Sequence, residues 1–588
     1  MRKSAFYTLG LLAGVSLSCG TDINSGIDPN CPAGQVCDPS NPTDPNQKPD
    51  TVVGVGPGSG GSGGGGTPFD PNANGSSGVK TDPNGNIILD PMGSIGSSSS
   101  FIWVSTTGNG SIAKVDVRTM KQVARYNTAP GAAADPSRTT VSLNGDVVVA
   151  NRAWNSYGSQ ASRASAVMIA GDKSGCIDRN GNGKIDTFEG EGALPAAFQW
   201  PANQKDSPDE CVLWLTPLNT NPDGTPRNTD PGTRPRAAGF DGEIGPDGQL
   251  SRYVYIGLYD TKEVVRLDAK TGAVVKRISV APAEPYGLVI DKQSNVWVAG
   301  RGTANYLAKI ATKSNDAVRV YGANNDGKLS PCDNYGITAD ARGLIYIAPV
   351  SGSALCRFNP TTESWETLTA TGVPALRGVA VDQNNQLWAA GHDSSNMLHV
   401  DVSANPPAAG GMTTMVKKEI VALPGAGTVA GAAIDFDNNV WGVSYTGGAF
   451  KIEPASANKL TMMNPGAATY TYSDMTGYQL RNASRNGTFR HIFTGCGEGT
   501  KWTTLTYQAS SPPGTKFSIR YRAAVSIADL AAAPWTTASA TSPQAIMLPA
   551  GTKQNYLQVE VNMSTVDANV SPVLSGLSAA FQCNNIVG

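Results

Sequence analysis

Histidine is nearly absent from this 588-residue chain. Three occur, His392, His399 and His491, and none stands in a His-Glu-x-x-His run. No Gly-x-Ser-x-Gly elbow and no phosphate loop is present either, so the common nucleophile, zinc and nucleotide signatures are missing. Charge of one sign is also lacking: 45 basic residues face 47 acidic ones. That balance leaves no basic stripe and argues against a nucleic-acid partner. After the N-terminus no apolar run approaches the roughly 20 residues of a helical membrane span. What the chain does have is turn formers, 67 Gly and 39 Pro, with only 16% charged residues. Many turns and few long helices follow, in a chain with room for about three or four domains.

Arg2 and Lys3 precede an apolar run from Phe6 to Leu17, the layout of a secretion signal over residues 1–18. Ser16-Leu17-Ser18-Cys19-Gly20 resembles a bacterial lipobox, with Ser16 where an apolar residue is usual. The resemblance implies a lipid on Cys19, and the absence of Asp at position 20 implies an outer-membrane lipoprotein. The nine cysteines fit that reading. If Cys19 carries lipid, eight remain, and pairing nearest neighbours gives Cys31–Cys37, Cys176–Cys211, Cys332–Cys356 and Cys496–Cys583. Disulfides imply an oxidising compartment.

Residues 19–98, with a Gly/Ser run at 56–66 and Ser97–Ser100, read as a flexible tether without a core. From 101 to 463 the chain repeats itself. Tyr286-Gly-Leu-Val-Ile-Asp291 leads to Trp297; Tyr335-Gly-Ile-Thr-Ala-Asp340 leads to Tyr346. Arg377-Gly-Val-Ala-Val-Asp382 leads to Trp388, and Ala430-Gly-Ala-Ala-Ile-Asp435 to Trp441. Each Asp precedes its aromatic by six residues. The pattern is strand, Asp-anchored turn, strand. Weaker copies place Trp103, Val148 and Tyr255 at the aromatic position. Spacings are 42–53 residues, except 107 between Val148 and Tyr255. One blade plus an insertion of about sixty residues (171–232) accounts for the exception. The expected fold is therefore all-β: a seven-bladed β-propeller over 99–483. Its first blade lacks an inner strand, which 475–482 is expected to supply beside 101–106. Residues 484–588 alternate with period two in several runs and read as a β-sandwich.

Within the insertion, Asp178-Arg-Asn180-Gly-Asn182-Gly183-Lys184-Ile-Asp186-Thr-Phe-Glu189 matches an EF-hand loop. Asp178, Asn180, Asn182 and Asp186 offer side-chain oxygens, Lys184 its carbonyl, and Glu189 a bidentate carboxylate. Hard oxygen donors at this spacing select Ca²⁺ in a structural role.

The repeats resemble those of virginiamycin B lyase-like and NHL-type propellers over roughly 101–463. In the lyase the repeat carries Pro-His-Gly and a Glu-bearing strand end, and a histidine and a glutamate act with Mg²⁺ in an elimination. Here Pro285-Tyr286-Gly287 and Val298-Ala-Gly300 stand at those places, so the resemblance carries the fold and not the activity. The residues before each repeat glycine, Tyr286, Tyr335 and Arg377, are expected at one channel mouth with Arg138 and Arg236, as a site for an anionic or sugar-like ligand. Three functions stay open. The first is an anchored binding or adhesion protein with a protein or carbohydrate partner. The second is a lyase-like enzyme on a cyclic peptide or polysaccharide, and the third a structural component of a cell-surface assembly.

Overall fold

In the computed structural model the described residues run from 50 to 583. They omit 58–66, 77, 91–100, 132–133, 143–144, 153–163, 228–233, 243–250, 370, 383, 408–410, 447, 467, 480–484, 498, 514, 540, 553 and 566–569. The secretion signal, Cys19 and the Cys31–Cys37 pair lie outside them. Among the described residues no helix is long and apolar enough to cross a membrane.

Seven sheets form the propeller. Blades two to seven each have four antiparallel strands in sequence order. Their innermost strands are Pro136–Val141, Pro235–Phe240, Pro285–Ile290, Asn334–Ala339, Leu376–Val381 and Val429–Ile434. The repeat aromatics lie on the second strands, where Trp103, Tyr255, Trp297, Tyr346, Trp388 and Trp441 are fully buried between blades. Glycine in the inner strand is required by crowding at the axis. A Cβ on Gly336 would meet the Arg377 carbonyl oxygen at 1.9 Å, and one on Gly431 would meet the Thr471 oxygen at 2.3 Å.

Blade one has three strands of its own, Phe101–Thr106, Ser111–Asp116 and Lys121–Asn127. The chain after blade seven closes the ring, but through 469–475 and not through 475–482 as expected. Thr106 bridges Thr469 antiparallel, and the Trp103 N–H donates to the Met475 carbonyl at 2.9 Å. Thr471 thus takes the position held by Tyr335 or Arg377 elsewhere. The Asp474–Gly477 stretch that suggested the other register forms a turn instead. Asp474 Oδ1 accepts from the Thr476 and Gly477 N–H groups.

The insertion is also corrected. Val212–Pro217, inside the expected 171–232, is the outer strand of blade two. The inserted chain between 170 and 211 is tied by Cys176–Cys211. It also grips blade one, since Gln122 Nε2 donates to the Gly190 and Gly192 carbonyls. Cys332–Cys356 and Cys496–Cys583 form as the spacing suggested.

The largest correction concerns the tether. Residues 50–57 and the described residues of 67–90 are part of the C-terminal sandwich. Thr51–Gly56 pairs antiparallel with Val573–Cys583, and the hairpin Val79–Thr81 with Ile87–Leu89 joins the same strand. Val55, Phe69, Val79, Ile87 and Leu89 lie in one core with Phe489, Trp502, Val561 and Phe581. The propeller is therefore inserted into a sandwich made from both ends of the described chain. The composition of 58–66 masked short strands on either side of it. The Asp82-Pro-Asn-Gly-Asn86 turn that folds the hairpin repeats the Asp-anchored turn of the blades, with Asp82 accepting from the Asn84 and Asn86 N–H groups.

Three outcomes check this architecture. Phe69→Ala and Ile87→Ala will each destabilise the sandwich by about 2–5 kcal/mol in denaturant titration, where residues of a tether would cost nothing. Gly336→Ala will cost about 1–3 kcal/mol or more, because the atom in its way is backbone. Burial pushes the Asp474 carboxyl up to about 7. A raised acid favours the folded state at low pH, and that contribution is lost as pH rises through about 7. Asp474→Asn will accordingly raise the melting temperature relative to the parent at pH 8 and lose that advantage near pH 4.

Candidate functional site

The inner strands carry a register irregularity one residue after their first. It falls at Pro136/Arg138, Pro235/Ala237, Pro285/Gly287 and Asn334/Gly336. A bulge of this kind re-aims the extra side chain. Arg236, Tyr286 and Tyr335 occupy it and meet at the axis. Arg138 lies one residue further along than its place among the expected mouth residues, at the glycine position, and is fully buried.

The structure brings all five expected residues together, with two the sequence reading missed, Tyr470 and Tyr472. Both come from the closing segment, where the alternation Tyr-Thr-Tyr was the available signal. Tyr286 and Tyr335 have ring centroids 4.7 Å apart, and Tyr335 and Tyr472 4.9 Å apart. The Tyr335 hydroxyl lies 2.9 Å from that of Tyr470, which donates to Tyr472 at 3.1 Å. These rings fill the axis. The space left beneath them is about 10 Å³, room for about one water.

Arginines surround the tyrosines. The Arg138 guanidinium carbon lies 3.2 Å from the centre of the Tyr472 ring. Arg236 and Arg301 each lie 5.4 Å from Tyr286, and Arg377 lies 5.2 Å from Tyr335. Some are neutralised: Arg152 by Asp135, Arg234 by Asp260, Arg301 by Asp333 at 3.6 Å. Arg138, Arg236 and Arg377 have no carboxylate partner among the described residues. Arg138 donates to the Arg236 carbonyl at 2.6 Å and to the Ser137 carbonyl at 3.3 Å, while its Nη2 meets no acceptor among the described residues. Arg377 contacts His392.

Burial lowers the Arg138 pKa to about 10. Burial pushes the Tyr286 phenol up, but Arg236 and Arg138 outweigh it and the net shift is downward. Tyr335, deeper and beside two other phenols, is pushed up by burial and by Tyr470 and Tyr286. Both tyrosines face guanidinium groups, and they differ in acidity because burial and neighbouring phenols dominate at Tyr335.

The EF-hand-like loop folds around Asp178. Its Oδ1 accepts from the Gly181 N–H and its Oδ2 from the Gly183 N–H. Asn180 and Asn182 both donate to Asp186 Oδ2, at 2.7 and 3.0 Å, so these three side chains share one centre. Glu189 departs from the expectation. Its carboxylate pairs with Lys173 at 2.9 Å, and its backbone bridges Ala124 of blade one. Glu210, which spacing did not suggest, holds the loop from beneath: it accepts from the Arg179 and Asp186 N–H groups at 2.8 Å. Among the described residues no three His, Cys, Asp or Glu side chains form a metal-binding group. The oxygen-bearing side chains gathered here are one carboxylate and two amides.

Disrupting the scaffold of this loop has a readable consequence. Glu210→Gln will leave the propeller folded while increasing proteolytic cleavage within 178–189, because it weakens the anchor of three backbone N–H groups.

No protein-family model and no curated protein matches this chain. Solved structures share its general form at low identity. Hydrazine synthase from Kuenenia stuttgartiensis is 12% identical, with a TM-score of 0.39, over 68% of this chain and 99% of that one. Virginiamycin B lyase from Staphylococcus aureus is 14% identical, with a TM-score of 0.34, over 56% and 84%. The WD40 repeats of RRP9 are 9% identical, with a TM-score of 0.36, over 63% and 88%.

Proposed function

We propose that this chain is an exported binding protein, held at an outer membrane by lipid on Cys19, that takes an anionic ligand at the arginine-bearing channel end. One observation carries the reading. Arg138, Arg236 and Arg377 converge on four tyrosines and none forms an ion pair with a carboxylate among the described residues, Arg377 meeting Asp393 only across His392. Buried or half-buried cations are normally paired, and an uncompensated group of them attracts an anion. The packed tyrosines leave room for little more than a water beneath them, so the ligand sits at the mouth. Its anionic group reaches Arg236 and Arg377, and an aromatic or sugar ring lies against Tyr286. A bacterial surface offers both in uronate-bearing polysaccharides, and the carbohydrate partner expected from the sequence takes that form here.

Ca²⁺ at 178–189 has a structural role in this proposal. A cation at the Asp186 centre would replace the Asn180 and Asn182 N–H groups as the neutraliser of that carboxylate. It would fasten the insertion across blades one and two.

The enzymatic alternative draws support from one observation, the net downward shift of Tyr286. A tyrosine acidified by arginines is a candidate proton acceptor for elimination on an acidic polysaccharide. The assembly alternative would use the sandwich.

Titration calorimetry with oligogalacturonate and with neutral maltohexaose tests the reading. Oligogalacturonate will bind, with affinity falling as salt rises, and maltohexaose will not. Arg236→Ala with Arg377→Ala will weaken binding about tenfold or more at unchanged melting temperature. Equal binding of both sugars, or no effect of the double substitution, overturns it. Millimolar CaCl₂ will raise the melting temperature relative to EGTA, and Asp178→Ala will abolish the difference.

A further inference from the structure

A second site lies at the rim of blade two, far in sequence from the tyrosine cluster. A cleft of about 330 Å³ opens between the outer strand Val212–Pro217 and the inserted segment 200–207. The size falls at the lower end of pockets that take small ligands. Leu213, Trp214 and Leu215 all line it. Successive residues of a strand point to opposite faces, so three in a row reach one cleft only where it runs along the strand's edge.

That edge is free. Val212–Pro217 pairs with Ser165–Ile169 on one side and ends the sheet on the other. The Leu218 N–H donates to the Ala164 carbonyl at 2.8 Å, and Thr216 and Trp214 pair with Ala166 and Met168 in the same phase. Leu215 therefore turns its N–H and C=O groups into the cleft, while Leu213, the extra residue of a bulge, turns only its C=O there. Among the described residues no bond outside the strand ladder is made to those groups. The edge is bounded at both ends: Arg179 caps the Val212 carbonyl, and Pro217 has no N–H.

The opposite wall is exposed and polar. Asn203, Gln204, Lys205 and Asp206 line it, with charges of both signs that favour neither a cationic nor an anionic ligand. The indole N–H groups are already used, Trp214 donating to Ala269 at 2.9 Å and Trp200 to Gln204 at 3.2 Å. The cleft thus offers ring faces and unpaired backbone groups, and no indole donor for a sugar hydroxyl.

We infer that this edge takes an extended peptide from a partner protein as a fifth strand of blade two. The peptide's backbone pairs with Leu213 and Leu215, and an apolar side chain seats against Trp200. Backbone pairing supplies the affinity in such an addition, and the flanking pockets choose alternate side chains. Proline is excluded at the positions that donate to the Leu213 and Leu215 carbonyls.

The test uses the purified full chain and an acetylated, amidated peptide alternating valine with threonine between terminal lysines. Hydrogen exchange read by mass spectrometry will show the Leu215 amide slowed about tenfold or more at saturating peptide, with other outer strands unchanged. The same peptide N-methylated at alternate residues keeps its side chains and loses its donors, and will bind about tenfold more weakly or worse. Leu215→Pro removes one outward N–H. Ala202→Trp fills the cleft from the other wall and leaves the strand intact; it will abolish protection even if the proline variant fails to fold. Equal binding of the N-methylated peptide overturns the inference. So does protection by maltohexaose in place of the peptide, or protection that survives Ala202→Trp.

Discussion

The propeller depends on one carboxylate placed six residues before an aromatic. In blade four Asp291 Oδ1 accepts from the Gln293 and Asn295 N–H groups and so folds the turn. Its Oδ2 accepts from the Trp297 indole at 2.7 Å. Asp435 does the same for Asp437, Asn439 and Trp441, and Asp340 binds the Tyr346 hydroxyl at 2.9 Å. One side chain thereby reverses the chain and satisfies the only polar atom of the largest buried ring. An indole N–H buried without a partner would cost about 1–3 kcal/mol, so the clasp lets Trp fill the space between blades. The carboxylate is costly in its turn, and burial raises the Asp435 pKa despite the Trp441 bond.

Where the clasp is altered, a neighbour compensates. Trp388 stacks on His399 with ring centres 4.1 Å apart, while the Asp382 Oδ2 accepts from Asn438 of the next blade. Arg342 joins Asp340 and Tyr346, and reaches the Val402 carbonyl of blade six at 2.6 Å. In blade two valine replaces the aromatic, Ser142 holds the turn from the Asp position, and no ring needs satisfying. The repeat tolerates these changes because turn and ring are separate demands, linked only when the ring carries a donor.

The blade count, the aromatic positions and three disulfides were legible because they rest on local chemistry at fixed spacing. What escaped depends on pairing between distant segments. Nothing within 50–90 says that Thr51–Gly56 will lie beside Val573–Cys583. The Asp82 turn did say that a hairpin forms there, and the glycine run beside it diverted attention. Register at the ring closure was ambiguous for a similar reason: Gly477 resembled a repeat glycine, whereas the axis is reached by Thr471. In blade two Arg138 itself stands where the neighbouring blades have Ala237, Gly287 and Gly336, so no repeat glycine marked its place. Tyr470 and Tyr472 were readable only once 469–475 was known to be a closing strand.

Nesting couples the two units. The sandwich takes its first strands from before the propeller and the rest from after it, so both ends of the ring must come together before the sandwich core can form. The reverse also holds: with Val79–Leu89 seated against Val573–Cys583, the start of blade one and the closing segment are brought close. Loop-closure entropy that a free propeller would meet alone is thus shared with the apolar burial of Val55, Phe69, Ile87 and Phe581. Such long-range pairing makes folding slow and exposes strand edges on the way. Cys496–Cys583 ties down the end of the last strand, the strand on which both Thr51–Gly56 and Thr500–Ser510 pair.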